Sequence, residues 1–149
     1  MGKSIFRSTI LPILIVLIGG FILVCLCWII YLGIYLIIET AFFPNNPTDV
    51  PADLIRRYSV LFLSMVSFLV LFTKWNHTIK ATILVAPLTM SFIWVILSFY
   101  MNTWVAVIVL IVVTLTFILL IIRLKKPWIY YISIAFSIIL AILYAWPQA

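Results

Sequence analysis

Long apolar runs separated by short charged gaps are the feature of this sequence that most restricts its fold. The stretch from Val105 to Ile122 contains no charged residue. A helix that crosses the roughly 30 Å hydrocarbon core of a bilayer needs about 20 predominantly apolar residues. Transmembrane β-strands instead alternate apolar and polar residues over about 10 positions. Continuous apolar runs therefore predict transmembrane helices rather than a barrel.

Composition excludes a soluble domain of this length. Of the 149 residues, 68% are hydrophobic and 8% are charged, whereas soluble domains average about 45–50% apolar and about 25% charged residues. A soluble fold of this size leaves roughly a third of its unfolded surface exposed, so it could not hide this much apolar area. We predict an all-α integral membrane protein, a single domain (residues 1–149) with a bundle of about five transmembrane helices.

Five spans and one long polar loop account for the chain. The first apolar run is longer than an upright helix needs, and it contains Gly19, Gly20 and Gly33 as candidate bends. A cleaved signal peptide is a competing interpretation, but the run is about twice the length of a signal core and no Ala-x-Ala-like site follows it. The predicted spans are residues 9–38, 58–73, 79–100, 104–122 and 128–144, and the polar loop is 39–57.

Lysine and arginine are concentrated on alternate gaps, which orients the bundle. Only Arg56 and Arg57 fall in the loop 39–57. The other basic residues lie in the N-terminal segment, in or next to the gap between the second and third spans, and in the gap after the fourth span. Because short cytoplasmic loops are enriched in basic residues, we predict an inside N-terminus and an outside C-terminus. The short loops favour a bacterial plasma membrane. The spread of basic residues over separate loops argues against nucleic acid as a partner.

Few side chains are suited to catalysis or metal binding. His77 is the only histidine, whereas a zinc site takes three or four ligands. Cys25 and Cys27 lie two positions apart, so on a helix they diverge by about 200° and cannot act together. No ionisable residue lies near the middle of a predicted span, which disfavours an ion-coupled transporter. We predict no catalytic group, no metal and no cofactor.

The polar loop is the strongest candidate for a ligand or partner site. It holds all the carboxylates of the chain and two arginines that run against the positive-inside trend. Paired guanidinium groups can bind a phosphate or carboxylate, but such residues also snorkel and pair locally. Both interpretations stay open for this set, which comprises Glu39, Asp49, Asp53, Arg56 and Arg57.

A second basic set is expected on the inner side. Cations next to transmembrane helices attract anionic lipid head groups. We predict that these residues mark topology and face lipid: Lys74, Lys80, Arg123, Lys125 and Lys126.

Small residues recur every four positions on the fifth predicted span, a pattern that lets helices approach closely in lipid. A shorter set lies on the third span. These faces either meet within the chain or contact a partner protein. The candidate packing residues are Ser133, Ser137, Ala141 and Ala145, together with Thr82, Ala86 and Thr89.

These features favour a non-catalytic membrane subunit that binds, stabilises or regulates a larger transport or envelope-assembly complex. One alternative is a small homo-oligomeric transporter or lipid-handling protein, with Ser64, Thr82 and Thr89 along its path. A third is a membrane enzyme that acts on lipid or polymer through the charged outer loop. The expected partners are membrane lipids and either a second membrane protein or further copies of this chain.

Overall fold

A computed structural model describes residues 9–42, 72–99 and 102–145, together with isolated positions between 51 and 70. Every regular element within these residues is helical. Three helices are long and apolar enough to cross a membrane, and a fourth is a shorter apolar helix of 17 residues. The described residues therefore form an all-helical membrane domain. Its helices are α1 (Leu11–Phe42), α2 (His77–Ser98), α3 (Thr103–Arg123) and α4 (Ile129–Ala145).

The helix limits differ from the predicted spans mainly in α1. This helix has 32 residues, about 48 Å at 1.5 Å per residue, and it ends at Phe42 rather than at residue 38. The Thr40 hydroxyl donates to the Leu36 carbonyl at 2.8 Å, so a polar side chain is satisfied within the helix and the helix continues into the predicted loop. The rest of that loop and the predicted span 58–73 lie mostly outside the described residues.

Local sequence sets both ends of α2. The Asn76 side chain accepts a hydrogen bond from the Thr78 N–H at 3.2 Å, which satisfies one of the free donors at the helix start. At the other end, the Phe99 N–H donates to the Val95 carbonyl at 3.2 Å. The helix therefore starts and ends two residues before the limits predicted from hydropathy. Hydrogen bonding at the termini, rather than apolar character, determines these limits.

Pro87 lies inside α2 without ending the helix. Proline has no N–H, so the carbonyl four residues earlier loses its usual donor. Two hydroxyls in the following turn donate to backbone carbonyls: Thr89 to Val85 at 2.7 Å and Ser91 to Pro87 at 2.7 Å. Because Pro87 itself is buried, this weakened turn lies in the core of the bundle rather than at its lipid surface.

Helices α2 and α4 run parallel to each other. Their contacts advance together along both chains, from the His77–Tyr130 ring pair to the Ser137 contact with Val85. Helix α1 runs in the same direction, since Gly20 lies beside Val85 and Trp28 stacks on Tyr144 farther along, with ring centroids 4.7 Å apart. The starts of α1, α2 and α4 therefore lie at one end of the bundle. Helix α3, which follows α2 in the chain, runs back toward that end.

Helix α2 is the centre of the bundle. Most of its residues are buried, whereas only Ala106 and Ile121 are fully buried on α3. Helix α1 buries Val16, Gly20 and Val24 along one narrow stripe. Large apolar side chains cover the remaining faces of α1 and α3. Such faces are stable in hydrocarbon but not in water, which fits a bundle surrounded by lipid.

Candidate functional site

Two serines of α4 bind the backbone of α2. The Ser133 hydroxyl donates to the Ala81 carbonyl at 2.8 Å, and the Ser137 hydroxyl donates to the Val85 carbonyl at 3.1 Å. Each hydroxyl also lies within hydrogen-bond distance of the carbonyl four residues before it on α4, that of Ile129 for Ser133 and that of Ser133 for Ser137. Both serines are fully buried. The contact needs small side chains, because only a short hydroxyl allows the two backbones to approach this closely.

The other small residues of α4 continue the same face. Ala141 and Ala145 are fully buried, at the four-residue spacing that follows Ser133 and Ser137. The structure therefore brings all four small residues of α4 into an interface within the chain. This interface packs α4 against α2 and, near its end, against α1.

The small residues of α2 are buried, and one of them lies against α1. Thr82 and Thr89 are buried, and their hydroxyls donate to the carbonyls of Thr78 at 2.9 Å and Val85 at 2.7 Å. Ala86 is also buried. The Thr82 methyl group lies where a side chain on Gly19 would sit, 2.8 Å from an added Cβ. These residues are therefore buried within the bundle.

Gly20 is a second point at which α1 approaches α2 closely. A Cβ added at Gly20 would lie 2.9 Å from the Cβ of Val85, a contact that real side chains cannot make. The sequence suggested Gly19 and Gly20 as bends, but α1 passes through them without a break and uses them for packing. The four-residue spacing of Val16, Gly20 and Val24 could have predicted this packing face from the sequence.

Lys80 differs from the rest of the predicted inner basic set. Its side chain is 4% exposed, and its ammonium group donates to the Thr73 carbonyl. The sequence predicted that Lys80 faces lipid, and the structure shows that its side chain is buried instead. The reason is its position near the start of α2, on the face that packs into the bundle, where the ammonium group reaches back to the segment before the helix.

His77 lies at the same end, against α4. Its Nδ1 atom is 3.4 Å from the hydroxyl of Tyr130, and Tyr130 is fully buried. This pair joins the start of α2 to the start of α4. It gives His77 a structural contact that the sequence did not reveal, because the two residues are 53 positions apart.

The remaining inner basic residues are at the α3–α4 turn and just before α2. The N–H of Lys126 donates to the Ile121 carbonyl at 3.1 Å, and the N–H of Lys125 donates to Ile122 at 3.0 Å. These paired bonds close the helix as a Schellman motif. Its left-handed position is occupied by Lys125, with a φ of 48°, where glycine is usual. Lys74, Arg123 and Lys125 are exposed at this end.

The candidate outer-loop site is represented in the structure by one residue. Glu39 lies in the last turns of α1 and is half-buried. Asp49, Asp53, Arg56 and Arg57 lie outside the described residues, so their arrangement as a site stays a prediction.

Metal-ligating side chains do not cluster in the described part of the chain. No three histidine, cysteine or carboxylate groups there lie close enough to hold a metal ion. Cys25 and Cys27 are free thiols on α1. The described residues therefore provide mainly helix-packing contacts and, at one end of the bundle, exposed basic side chains.

The chain matches no family model, no curated protein and no solved structure. Its function must therefore be inferred from its own residues.

Proposed function

We propose that this protein is a non-catalytic polytopic membrane subunit, which binds and stabilises a larger membrane complex. One observation carries the proposal: five serine and threonine hydroxyl groups of α2 and α4 are satisfied by backbone carbonyls. Thr82, Thr89, Ser91, Ser133 and Ser137 all donate to backbone carbonyls inside the bundle. Ser133 and Ser137 donate across the α2–α4 interface, whereas Thr82, Thr89 and Ser91 donate to carbonyls of α2 itself. A bundle whose hydroxyl groups are satisfied internally is suited to presenting a rigid lipid-embedded surface.

We further propose five spans. Helices α1 and α2 run in the same direction, so if both cross the bilayer, residues 43–76 must cross it in reverse. The described positions between 54 and 72 support this, because they are helical and the Ser59 hydroxyl donates to the Ile55 carbonyl at 2.8 Å, as in a continuous helical turn. A return span between α1 and α2 brings the total to five.

The orientation proposed for these spans has the starts of α1, α2 and α4 inside. Those starts lie at the end of the bundle that carries Lys74, Arg123, Lys125 and Lys126, and positive charge in short loops is retained on the cytoplasmic side. The turn at Asn102 then lies outside. We propose the plasma membrane of a bacterium as the location, because the loops are short.

The alternative of a small homo-oligomeric transporter or lipid-handling protein receives less support. That function needs polar side chains along a path, and the sequence offered Ser64, Thr82 and Thr89. Thr82 and Thr89 are instead enclosed between helices, and Ser64 lies outside the described residues. The third alternative, an enzyme at the outer face, depends on loop residues that also lie mostly outside them.

Native mass spectrometry of the tagged protein, extracted gently from its own membrane, tests the proposal. We expect a second kind of membrane chain at a fixed stoichiometry, and the tag on an unrelated polytopic protein should not capture that chain. Recovery of a monomer, or of complexes made only of this chain, would contradict a subunit role. A homo-oligomer would favour the transporter alternative, with Thr82 and Thr89 as the residues to substitute.

A further inference from the structure

One end of the bundle carries a concentrated positive charge. The contact between His77 and Tyr130 brings the segment before α2 next to the α3–α4 turn. These two segments are distant in sequence, and together they supply the exposed cations Lys74, Arg123 and Lys125. The structure thereby places at the same end of the bundle charges that the sequence shows only as two separate gaps.

The part of the chain that the structure describes places no carboxylate side chain near this surface. No aspartate or glutamate occurs after Asp53 in the sequence. Glu39 lies near the far end of α1, about 20 residues beyond the level at which Gly19 meets Thr82, which is roughly 30 Å along the helix axis. The counter-charge for the basic end must therefore come mainly from outside the described residues.

The neighbouring side chains place this surface at the edge of the membrane. Trp75 and Trp128 flank the cations and are both exposed, at 55% and 48%. Tryptophan prefers the interface between head groups and hydrocarbon, because its ring is apolar and its N–H is polar. The cations beside these rings therefore lie at the depth of lipid phosphates.

We propose that this surface, formed by Lys74, Arg123, Lys125 and the flanking Trp75 and Trp128, binds the phosphodiester head group of an anionic lipid. Lysine and arginine form charge-assisted hydrogen bonds with phosphate oxygens. The two tryptophans contact the glycerol and upper acyl region, which holds the lipid against the starts of α2 and α4. Lys80 is not part of the site, because it is buried and donates to the protein backbone.

Native mass spectrometry tests the site with defined lipids. The purified protein in non-ionic detergent is titrated with phosphatidylglycerol and, separately, with phosphatidylcholine. A basic residue near a membrane surface contributes about 1 kcal/mol to attraction for anionic lipid, roughly a fivefold change in binding. We expect wild type to retain phosphatidylglycerol at least fivefold more than phosphatidylcholine, and the triple variant Lys74→Gln/Arg123→Gln/Lys125→Gln to lose that preference.

A charge-preserving variant is the matched control. Lys74→Arg/Arg123→Lys/Lys125→Arg keeps the charge and should keep the preference. An equal preference in the glutamine variant, or none in wild type, would overturn the proposal. If the glutamine variant does not fold, the wild-type preference in 1 M salt decides the question. Screening shortens the Debye length there to about 3 Å, so an unchanged preference would contradict an electrostatic site.

Inorganic phosphate distinguishes the source of the ligand. If 10 mM phosphate (about a physiological concentration) leaves the bound phosphatidylglycerol in place, the lipid assignment is supported, because the acyl chains add contacts that free phosphate lacks. Displacement of the lipid would identify free phosphate as the better ligand and would overturn the assignment.

Discussion

The hydroxyl of Ser137 donates a hydrogen bond to the carbonyl oxygen of Val85, 3.1 Å away, at the level where three helices meet. The side chain of the same Val85 lies against Gly20 of α1, where an added Cβ would come within 2.9 Å. The backbone carbonyl of Val85 thus contacts α4, and its side chain contacts α1. Substitutions at Ser137 and Gly20 should therefore report on the same helix junction from opposite sides.

Removal of the cross-helix hydroxyls should weaken the bundle. Ser133→Ala/Ser137→Ala leaves the carbonyls of Ala81 and Val85 without these donors. Interhelical hydrogen bonds in membranes are worth on average about 0.6 kcal/mol each, so we expect a loss of about 1–2 kcal/mol in the free energy of unfolding. Titration of dodecyl sulfate into the protein in non-ionic micelles measures this free energy of unfolding. Thr116→Ala is the control, because the exposed Thr116 donates only to Val112 of its own helix.

The four-residue repeat also predicts a steric effect on α4. Ser137→Leu should reduce the yield of folded protein far more than Ser137→Ala, because the larger side chain prevents close approach to α2. Wild-type yield and stability for Ser137→Leu would show that this face does not pack as described.

Two glycines of α1 should respond oppositely to alanine. Gly20→Ala should destabilise the protein by about 1–3 kcal/mol, the usual range for overpacking, because the new Cβ meets Val85. Gly33→Ala should be neutral or stabilising by up to about 1 kcal/mol, since no atom of the described residues lies within 4 Å of the added Cβ and alanine favours helix. Thermal unfolding in detergent compares the two variants, and similar effects at both positions would contradict the α1–α2 crossing.

Thr114 offers a stabilising substitution. Its hydroxyl is enclosed and has no hydrogen-bond partner among the described residues. An unsatisfied buried polar atom costs about 1–3 kcal/mol, and valine has nearly the same shape. We expect Thr114→Val to raise the free energy of unfolding by about 1 kcal/mol in the same dodecyl sulfate titration. A loss of stability would mean that the Thr114 hydroxyl is bonded.

The left-handed residue of the α3–α4 turn predicts a difference between glycine and alanine. A side chain in this conformation costs about 1–2 kcal/mol relative to glycine. Lys125→Gly and Lys125→Ala remove the same charge, so the comparison isolates the backbone conformation. Lys125→Gly should be the more stable by about 1 kcal/mol in chemical or thermal unfolding, and equal stability would argue against the Schellman geometry.

Sequence patterns predict the helices of this protein better than their contacts. Hydropathy located α2, α3 and α4 to within about two residues of each end, because the apolar runs are bounded by strong signals such as Asn102 and Pro127. It placed the end of α1 four residues early, since Glu39 and Thr40 look like a loop although Thr40 is satisfied within the helix. Hydropathy does not encode which faces meet.

The sequence did not predict which helix each of the site residues contacts. The spacing of Ser133 and Ser137 indicated a packing face but left its partner open between α2 and another protein. Lys80 was grouped with the lipid-facing cations, because a count of charges does not show which side of a helix points inward. The His77–Tyr130 contact depends on the parallel register of α2 and α4, which no local pattern reveals.

The proposed five-span arrangement determines on which side of the membrane each loop lies, and sided cysteine labelling tests it most directly. In a Cys25→Ala/Cys27→Ala background, single cysteines are placed at Asn46, Trp75, Asn102 and Lys125 and reacted with an impermeant maleimide in intact cells. We expect labelling at Asn46 and Asn102 only, with Trp75 and Lys125 reacting after the membrane is opened. Labelling of Asn46 and Trp75 from the same side would contradict a return span between α1 and α2.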